Sequence, residues 1–316
     1  MADCFWSLGR PEIQGHRICG ALSVENSRAA VRAAAALRHV TSVEFDVRQT
    51  RCGTLVVAHG PEFNEGLRVE EMSYDEACSD LRLSNGETVP LFIEIVDLCV
   101  SHGLRMNVEI KPECSYEVVV KVLNVLSSFK RDVCFSSSSS VASTCASVSE
   151  DSSDVLINPA LALTNISSFS LSILKQVREL APSIPLGLLV NDTISILPCG
   201  RPLRAEIPDN PAGLLRSLGK SVCGDSVNMC SESISAEIVE NLHASGIKVL
   251  VWFASDSPKE FSDTIEDNIR AILKFGADVI CTNRPDLVHL EICRISEFFC
   301  TPVISAGSIC RFQTAL

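Results

Sequence analysis

The stretch SVEFDV, residues 42–47, reads as a β-strand with two unlike faces. At a strand period of two, Glu44 and Asp46 share one face while Val43, Phe45 and Val47 share the other. RMNVEIK, residues 105–111, repeats the arrangement, with Asn107, Glu109 and Lys111 on one side and Val108 and Ile110 on the opposite side. Outward from these two runs, further β-rich stretches follow: EIQGH (12–16), LALTNIS (161–167), PLGLLVN (185–191), SVCGDSVN (221–228), IKVLVWF (247–253) and ADVICTN (277–283). Between them lie helical patterns near 25–38, 91–102, 115–129, 170–181, 210–218, 233–245, 259–275 and 286–299. Strands that alternate with helices indicate a parallel sheet whose faces are both covered. Eight such units predict a closed (β/α)8 TIM barrel, in which the aliphatic faces meet the helices and the carboxylates point inward, toward the C-terminal mouth.

Two stretches interrupt this rhythm. Residues 61–90 are too long for an ordinary βα loop and rich in Glu, Asp, Asn and Gly, which predicts a small insertion at the barrel mouth. Its composition shows no aromatic or aliphatic cluster suited to an acyl-chain groove. Residues 136–154, SSSSSVASTCASVSEDSSD, have almost nothing to bury and are expected to form a disordered surface insert. The expected organisation is one barrel domain over residues 1–300 with a tail at 301–316.

With 46% hydrophobic and 21% charged residues in a chain of 316, there is ample material for a core. A formal charge of −12 argues against nucleic acid or an anionic membrane as the main partner, because phosphate backbones recruit net Lys and Arg. The first residues lack a basic segment followed by an apolar one, and no run is long and apolar enough for stable membrane insertion. Fifteen cysteines with no CxxC, many in apolar runs such as those around Cys99, Cys223 and Cys281, read as reduced, buried thiols and a cytoplasmic location. Nothing in the sequence sets an oligomeric state.

Adjacent barrel strands lie about 4.8 Å apart, so Glu44, Asp46 and Glu109 are expected to converge. Three hard oxygen donors that close imply one divalent cation, Mg²⁺ or Ca²⁺. His16 and Arg17 end the first strand beside them. After SVEFDVRQ, a turn and the apolar TLVVAH suggest a hairpin; closed symmetrically about Arg51 and Cys52, it sets His59 opposite Glu44. Two imidazoles, a metal and the cations Arg17 and Lys111 suit cleavage of a phosphodiester. The other histidines, His39, His102, His243 and His289, fall in helical patterns and carry no such expectation. Asn26 is expected to cap a helix.

At these residues the chain resembles the glycerophosphodiester phosphodiesterase family. The matching pieces are GHR with EN nine residues after the His (His16, Arg17, Glu25, Asn26), ExD (Glu44, Asp46), T-x-x-G followed by VVAH (Thr50, Gly53, His59), NVEIKPE (Asn107 to Glu113), SF (Ser168, Phe169), Trp252 and VICTNRPD. The resemblance implies a metal-dependent hydrolase that splits a small-molecule glycerophosphodiester into an alcohol and sn-glycerol 3-phosphate. It implies His16 and His59 as the acid/base pair, Glu44, Asp46 and Glu109 as metal ligands, Arg17 and Lys111 as phosphate contacts and Trp252 as a wall of the glycerol pocket. The chain departs from the family pattern at Ile18 for Gly, Cys52 and Gly60 for Asp, and Ser255 for Asn. Two other readings stand beside the first: a lysophospholipase D acting on lysolipids, and a catalytically weak barrel serving as a binding module.

Overall fold

The computed structural model describes residues 11–60, 66–129, 158–190, 194–196, 202–204, 210–219, 222–231, 233–253 and 263–300. Eight parallel strands close on themselves in the order β1 (Glu12–Gly15), β2 (Val40–Gln49), β4 (Arg105–Ile110), β5 (Thr164–Ser168), β6 (Leu186–Val190), β9 (Ser226–Cys230), β10 (Lys248–Trp252) and β11 (Val279–Thr282), with β11 returning to β1. This is the TIM barrel that the strand count predicts. The crossovers carry α1 (Arg28–Ala36), α3 (Phe92–His102), α4 (Tyr116–Ser128), α6 (Leu171–Leu180), α7 (Pro211–Ser217), α8 (Ala236–Ala244) and α9 (Asp263–Phe275), and α10 (Pro285–Cys300) follows the last strand.

The faces of the strands divide as their sequence dictates. Val43, Phe45, Val47, Val108 and Ile110 are fully buried in the main core between sheet and helices. Inside the barrel, Gln14 donates to Ser42 (3.1 Å), Asn107 to Gln14 (3.1 Å) and Asn165 to Asn107 (3.0 Å), a polar ladder across four neighbouring strands. The far side of the interior is apolar, built on Leu250, Val279 and Cys281 with Trp252 against them. Buried amides are tolerated because each finds another, and they leave the mouth above them polar on one side and apolar on the other.

Several boundaries differ from expectation. Residues 161–163 are not strand: Asn158 caps a helical turn, α5 (Pro159–Ala162), with Pro159 in the first turn, and β5 starts only at Thr164. Residues 222–225 are likewise a turn, with Gly224 at φ +100°, and Asp225 is clamped by both oxygens to Arg178 (2.7 Å each), so β9 starts at Ser226. A short hairpin, β7 (Ile194–Ile196) with β8 (Pro202–Arg204), lies between β6 and α7 where no element was expected. Asn26 does not cap α1; Ser27 does, accepting from the Ala30 N–H. His39 sits in a turn after α1 rather than in a helix, its ring stacked on that of His289 with centroids 4.1 Å apart. Cys223 is exposed, whereas Cys99 and Cys281 are buried.

The hairpin after β2 closes one residue differently from the symmetric expectation. β3 (Leu55–Val57) pairs Val47 with Val57, Arg48 with Val56 and Gln49 with Leu55, so the turn centres on Cys52 alone. The long segment that follows holds a 3-10 turn (Val69–Glu71) and α2 (Tyr74–Asp80), the latter with a Ser73/Glu76 capping box. Its Val69, Met72, Ala77, Leu81 and Val89 do form an apolar cluster, but one spent on Val56 of β3, while Leu55 and Val57 face the main core. Composition alone missed this satellite core because its members are spread between acidic residues. The Ser-rich stretch 136–154 and the tail 301–316 lie outside the described residues.

Candidate active site

The chain leaves β1 through a turn that L-residues resist: Arg17, Ile18 and Cys19 have φ of +46°, +59° and +61°. The Arg17 N–H donates to Glu44 Oε2 (2.9 Å) and the Ile18 N–H to the Glu44 carbonyl (2.9 Å). Ile18 and Cys19 are completely buried, so packing and hydrogen bonds over-determine the strained turn. Its effect is to swing His16 and Arg17 over the end of β2.

There, Asp46 and Glu109 are direct partners across β2 and β4, with Glu44 one pleat below. Oxygens of Glu44, Asp46 and Glu109 lie within 4.8 Å of one another, the one such acidic group among the described residues able to hold a metal. Lys111 Nζ bridges Asp46 Oδ1 (2.5 Å) and Glu109 Oε1 (2.9 Å), and Asn26, itself at φ +52°, donates to Asp46 Oδ2 (3.0 Å). Burial and the neighbouring Asp46 and Glu109 charges push the Glu44 carboxyl well above its usual range. Burial pushes Glu109 up to about 7 despite Lys111. Burial alone would raise Asp46 too, but Lys111, His59 and the Asn26 bond hold it below the usual carboxylate range. Lys111 stays protonated because Asp46 and Glu109 outweigh its own burial. Glu44 Oε1 is buried with no hydrogen-bond partner. Three buried carboxylates against one ammonium must take up either protons or a cation, and an orphaned hard oxygen fits a divalent cation.

The two imidazoles flank this group. His16 Nδ1 lies 3.1 Å from Asn283 Oδ1 at the end of β11, and its Nε2 is 3.9 Å from Glu44 Oε2. An amide oxygen only accepts, so in this orientation Nδ1 carries the proton and Nε2 presents its lone pair. β3 ends at Val57, the Ala58 N–H bonds the Asp46 carbonyl (3.0 Å), and the chain then bends at His59, whose Nε2 accepts from Arg17 Nη2 (2.9 Å). The bend, not the strand register, brings His59 in: continued pairing would set it beside Phe45 instead of Glu44. Burial, with Lys111 and Arg17 nearby, lowers its pKa against the pull of Asp46.

Together His16, Arg17, Glu44, His59, Glu109 and Lys111 line one cavity of about 280 Å³, whose opposite wall carries Phe169 and Trp252. Those two rings meet edge to face, centroids 6.2 Å apart at 88°, and the indole N–H bonds the Asn228 carbonyl (3.4 Å). Every site residue singled out from the sequence therefore lies at or beside this cavity. Sequence reasoning missed the orienting roles of Asn26 and Asn283, although both stand inside quoted motifs, EN and TNRP, where an amide beside an ionisable partner was the available signal.

A barrel that gathers acids, imidazoles and cations at its C-terminal mouth is built to process an anion. The chain belongs to the glycerophosphoryl diester phosphodiesterase family, whose model matches residues 16–287, and it is thus a phosphodiesterase that hydrolyses glycerophosphodiesters. Solved structures of the same fold include a Galdieria sulphuraria protein (TM-score 0.68, 19% identity, 91% of this chain and 100% of that one). Others are an Oleispira antarctica phosphodiesterase in complex with the product sn-glycerol-3-phosphate (0.66, 19%, 92% and 99%) and a Parabacteroides distasonis glycerophosphodiester phosphodiesterase (0.63, 18%, 91% and 100%). A search of curated proteins finds no significant match in sequence. No helix among the described residues is long and apolar enough to cross a membrane.

Proposed function

We propose that this phosphodiesterase acts on small, deacylated glycerophosphodiesters such as glycerophosphocholine, releasing the alcohol and sn-glycerol 3-phosphate with the help of one divalent cation, Mg²⁺ or Ca²⁺. The observation that carries the reading is the convergence of His16, His59, Arg17, Lys111 and the three carboxylates on one cavity. Bound between Glu44, Asp46 and Glu109, a divalent ion would neutralise phosphate charge. Arg17 and Lys111 hold the phosphoryl oxygens. His16, its Nδ1 proton turned toward Asn283, takes a proton at Nε2 from the attacking hydroxyl. His59 returns a proton to the departing alkoxide. Phosphate would draw Arg17 away from His59 Nε2, and the diester's negative charge raises the imidazole pKa that burial lowers, so substrate itself loads the acid.

Phe169 and Trp252 form the wall for the glycerol carbons. The cavity volume, about 280 Å³, lies just below the usual range for ligand sites, which favours a compact substrate over an acylated one. The Oleispira antarctica relative, bound to sn-glycerol-3-phosphate, is in keeping with the product assigned here. Residues 1–300 are taken as the catalytic domain. Buried thiols such as Cys19, whose pKa burial pushes up to about 12, suit the reducing cytoplasm. Phosphorus NMR of glycerophosphocholine turnover, with and without added Mg²⁺ or Ca²⁺, tests the reading. Metal-dependent appearance of glycerol 3-phosphate is expected, and phosphocholine as the product would refute it.

A further inference from the structure

Arg48 stands on β2 two residues past Asp46, is only 4% exposed, and belongs to none of the groups assigned above. Its guanidinium is not part of the cavity lining and ties three separate segments together. Nε and Nη2 converge on the His59 carbonyl (3.1 and 2.9 Å). Nη1 bridges Glu70 Oε1 (2.6 Å), from the 3-10 turn of the insertion, and Glu113 Oε1 (2.8 Å), from the loop after β4. His59 needs such a hold, because the last ladder bond of the hairpin is made by Ala58 and the His59 backbone lies beyond it. A residue on a bend, carrying a half-buried ring, has no strand to fix its orientation. A planar fork with two donors on one carbonyl fixes both the distance and the direction of that peptide.

We infer that Arg48 is a positioning residue: it sets the His59 imidazole against the scissile bond and makes that setting depend on docking of the insertion through Glu70. The inference rests on the participation of His59 in catalysis but not on its being the acid. Loss of the fork leaves the phosphate contacts Arg17 and Lys111 and the three carboxylates in place, so substrate binding is spared while the proton-transfer geometry loosens. Misplacement of about 1 Å in a catalytic group costs on the order of 10²-fold in rate.

The test compares Arg48→Met and Arg48→Lys with His59→Ala and His16→Ala on two substrates, glycerophosphocholine and the glycerophospho-p-nitrophenyl ester. Arg48→Met should lower kcat on glycerophosphocholine by roughly 10- to 100-fold with KM nearly unchanged. Its ratio of losses on the two leaving groups should follow that of His59→Ala in weaker form, whatever that ratio is, and differ from that of His16→Ala. Arg48→Lys, which keeps the charge but lacks the planar fork, should recover part of the loss. If Arg48→Met does not fold, Glu70→Ala and Glu113→Ala, each removing one arm of the Nη1 bridge, should show the same pattern at smaller size. Unchanged kcat, equal losses on both substrates where His59→Ala shows unequal ones, or a pattern matching His16→Ala would overturn the inference. Full activity of His59→Ala itself would instead remove the catalytic reading on which it rests.

Discussion

Removing the divalent ion should make the stability of this barrel fall as pH rises through neutrality, and the carboxylate cluster sets the size of the fall. Glu109 titrates near 7 in the folded chain against an ordinary 4.5, chiefly through burial, and Glu44 is raised as well. A folded-state pKa above the unfolded one means that the native form holds the proton more tightly. The stabilisation is therefore complete below about pH 4.5 and lost as pH climbs through about 7. For Glu109 alone the loss is about 3 kcal/mol, which corresponds to about 6 °C in Tm for a chain of this length. His59 and His39, both lowered mainly by burial, act in the opposite sense over part of this window. The comparison must therefore be with Glu44→Gln/Glu109→Gln, in which the histidines remain and the titrating acids do not. In EDTA, calorimetric melts of the two proteins should converge near about pH 4 and separate by at least about 6 °C at pH 8, with the wild type lower and Glu44 adding to the Glu109 share. Millimolar Mg²⁺ or Ca²⁺ should close the gap, and titration calorimetry in buffers of different ionisation enthalpy should register proton release on metal binding at pH 6. Parallel Tm curves for the two proteins from pH 5 to 8 in EDTA would refute the argument.

Other outcomes follow from the same geometry. His16→Ala and His59→Ala should each lower kcat by about 10² to 10⁴ on glycerophosphocholine, and only His59→Ala should be partly rescued by a p-nitrophenolate leaving group, which departs without a proton; rescue of His16→Ala alone would reverse the roles. Asn26→Gly keeps the left-handed backbone but removes the donor to Asp46, and should weaken metal affinity by roughly 10- to 100-fold in calorimetry with little change in Tm. Trp252→Ala should raise KM for glycerophosphocholine by roughly tenfold and leave kcat within a few-fold, as expected for a wall that binds ground and transition states alike. A higher kcat/KM for a lysophosphatidylcholine than for glycerophosphocholine would replace the deacylated substrate with the lysolipid one.

The alternating faces of residues 42–47 and 105–111 made the barrel and its acidic interior legible, because strand period is a strictly local property. The position of His59 was legible only in outcome. It was expected from a hairpin closed about two residues, yet the turn centres on Cys52 and the imidazole arrives through a bend after Ala58. One residue of register is invisible in sequence when Thr50, Cys52 and Thr54 bond one another in the turn. The start of β9 was hidden for a different reason. It is fixed by Arg178 on α6 gripping Asp225, a contact far apart in the chain that no local pattern announces. Arg48 fell between motifs and no local pattern singled it out; only its burial and partners in the fold reveal its fork.

His16 is held at the seam of the barrel. Its N–H bonds the Thr282 carbonyl and its ring meets Asn283, so the first strand's catalytic histidine takes its bearings from the last strand. The contact spans 267 residues, and closing so long a loop is among the slowest steps a chain of this topology must take. While β11 is still undocked, His16 lacks both its orientation and its tautomer. During synthesis or refolding, turnover should therefore lag behind the recovery of helical signal and appear only when the circle is complete, which makes activity a reporter of closure and keeps partly folded chains silent.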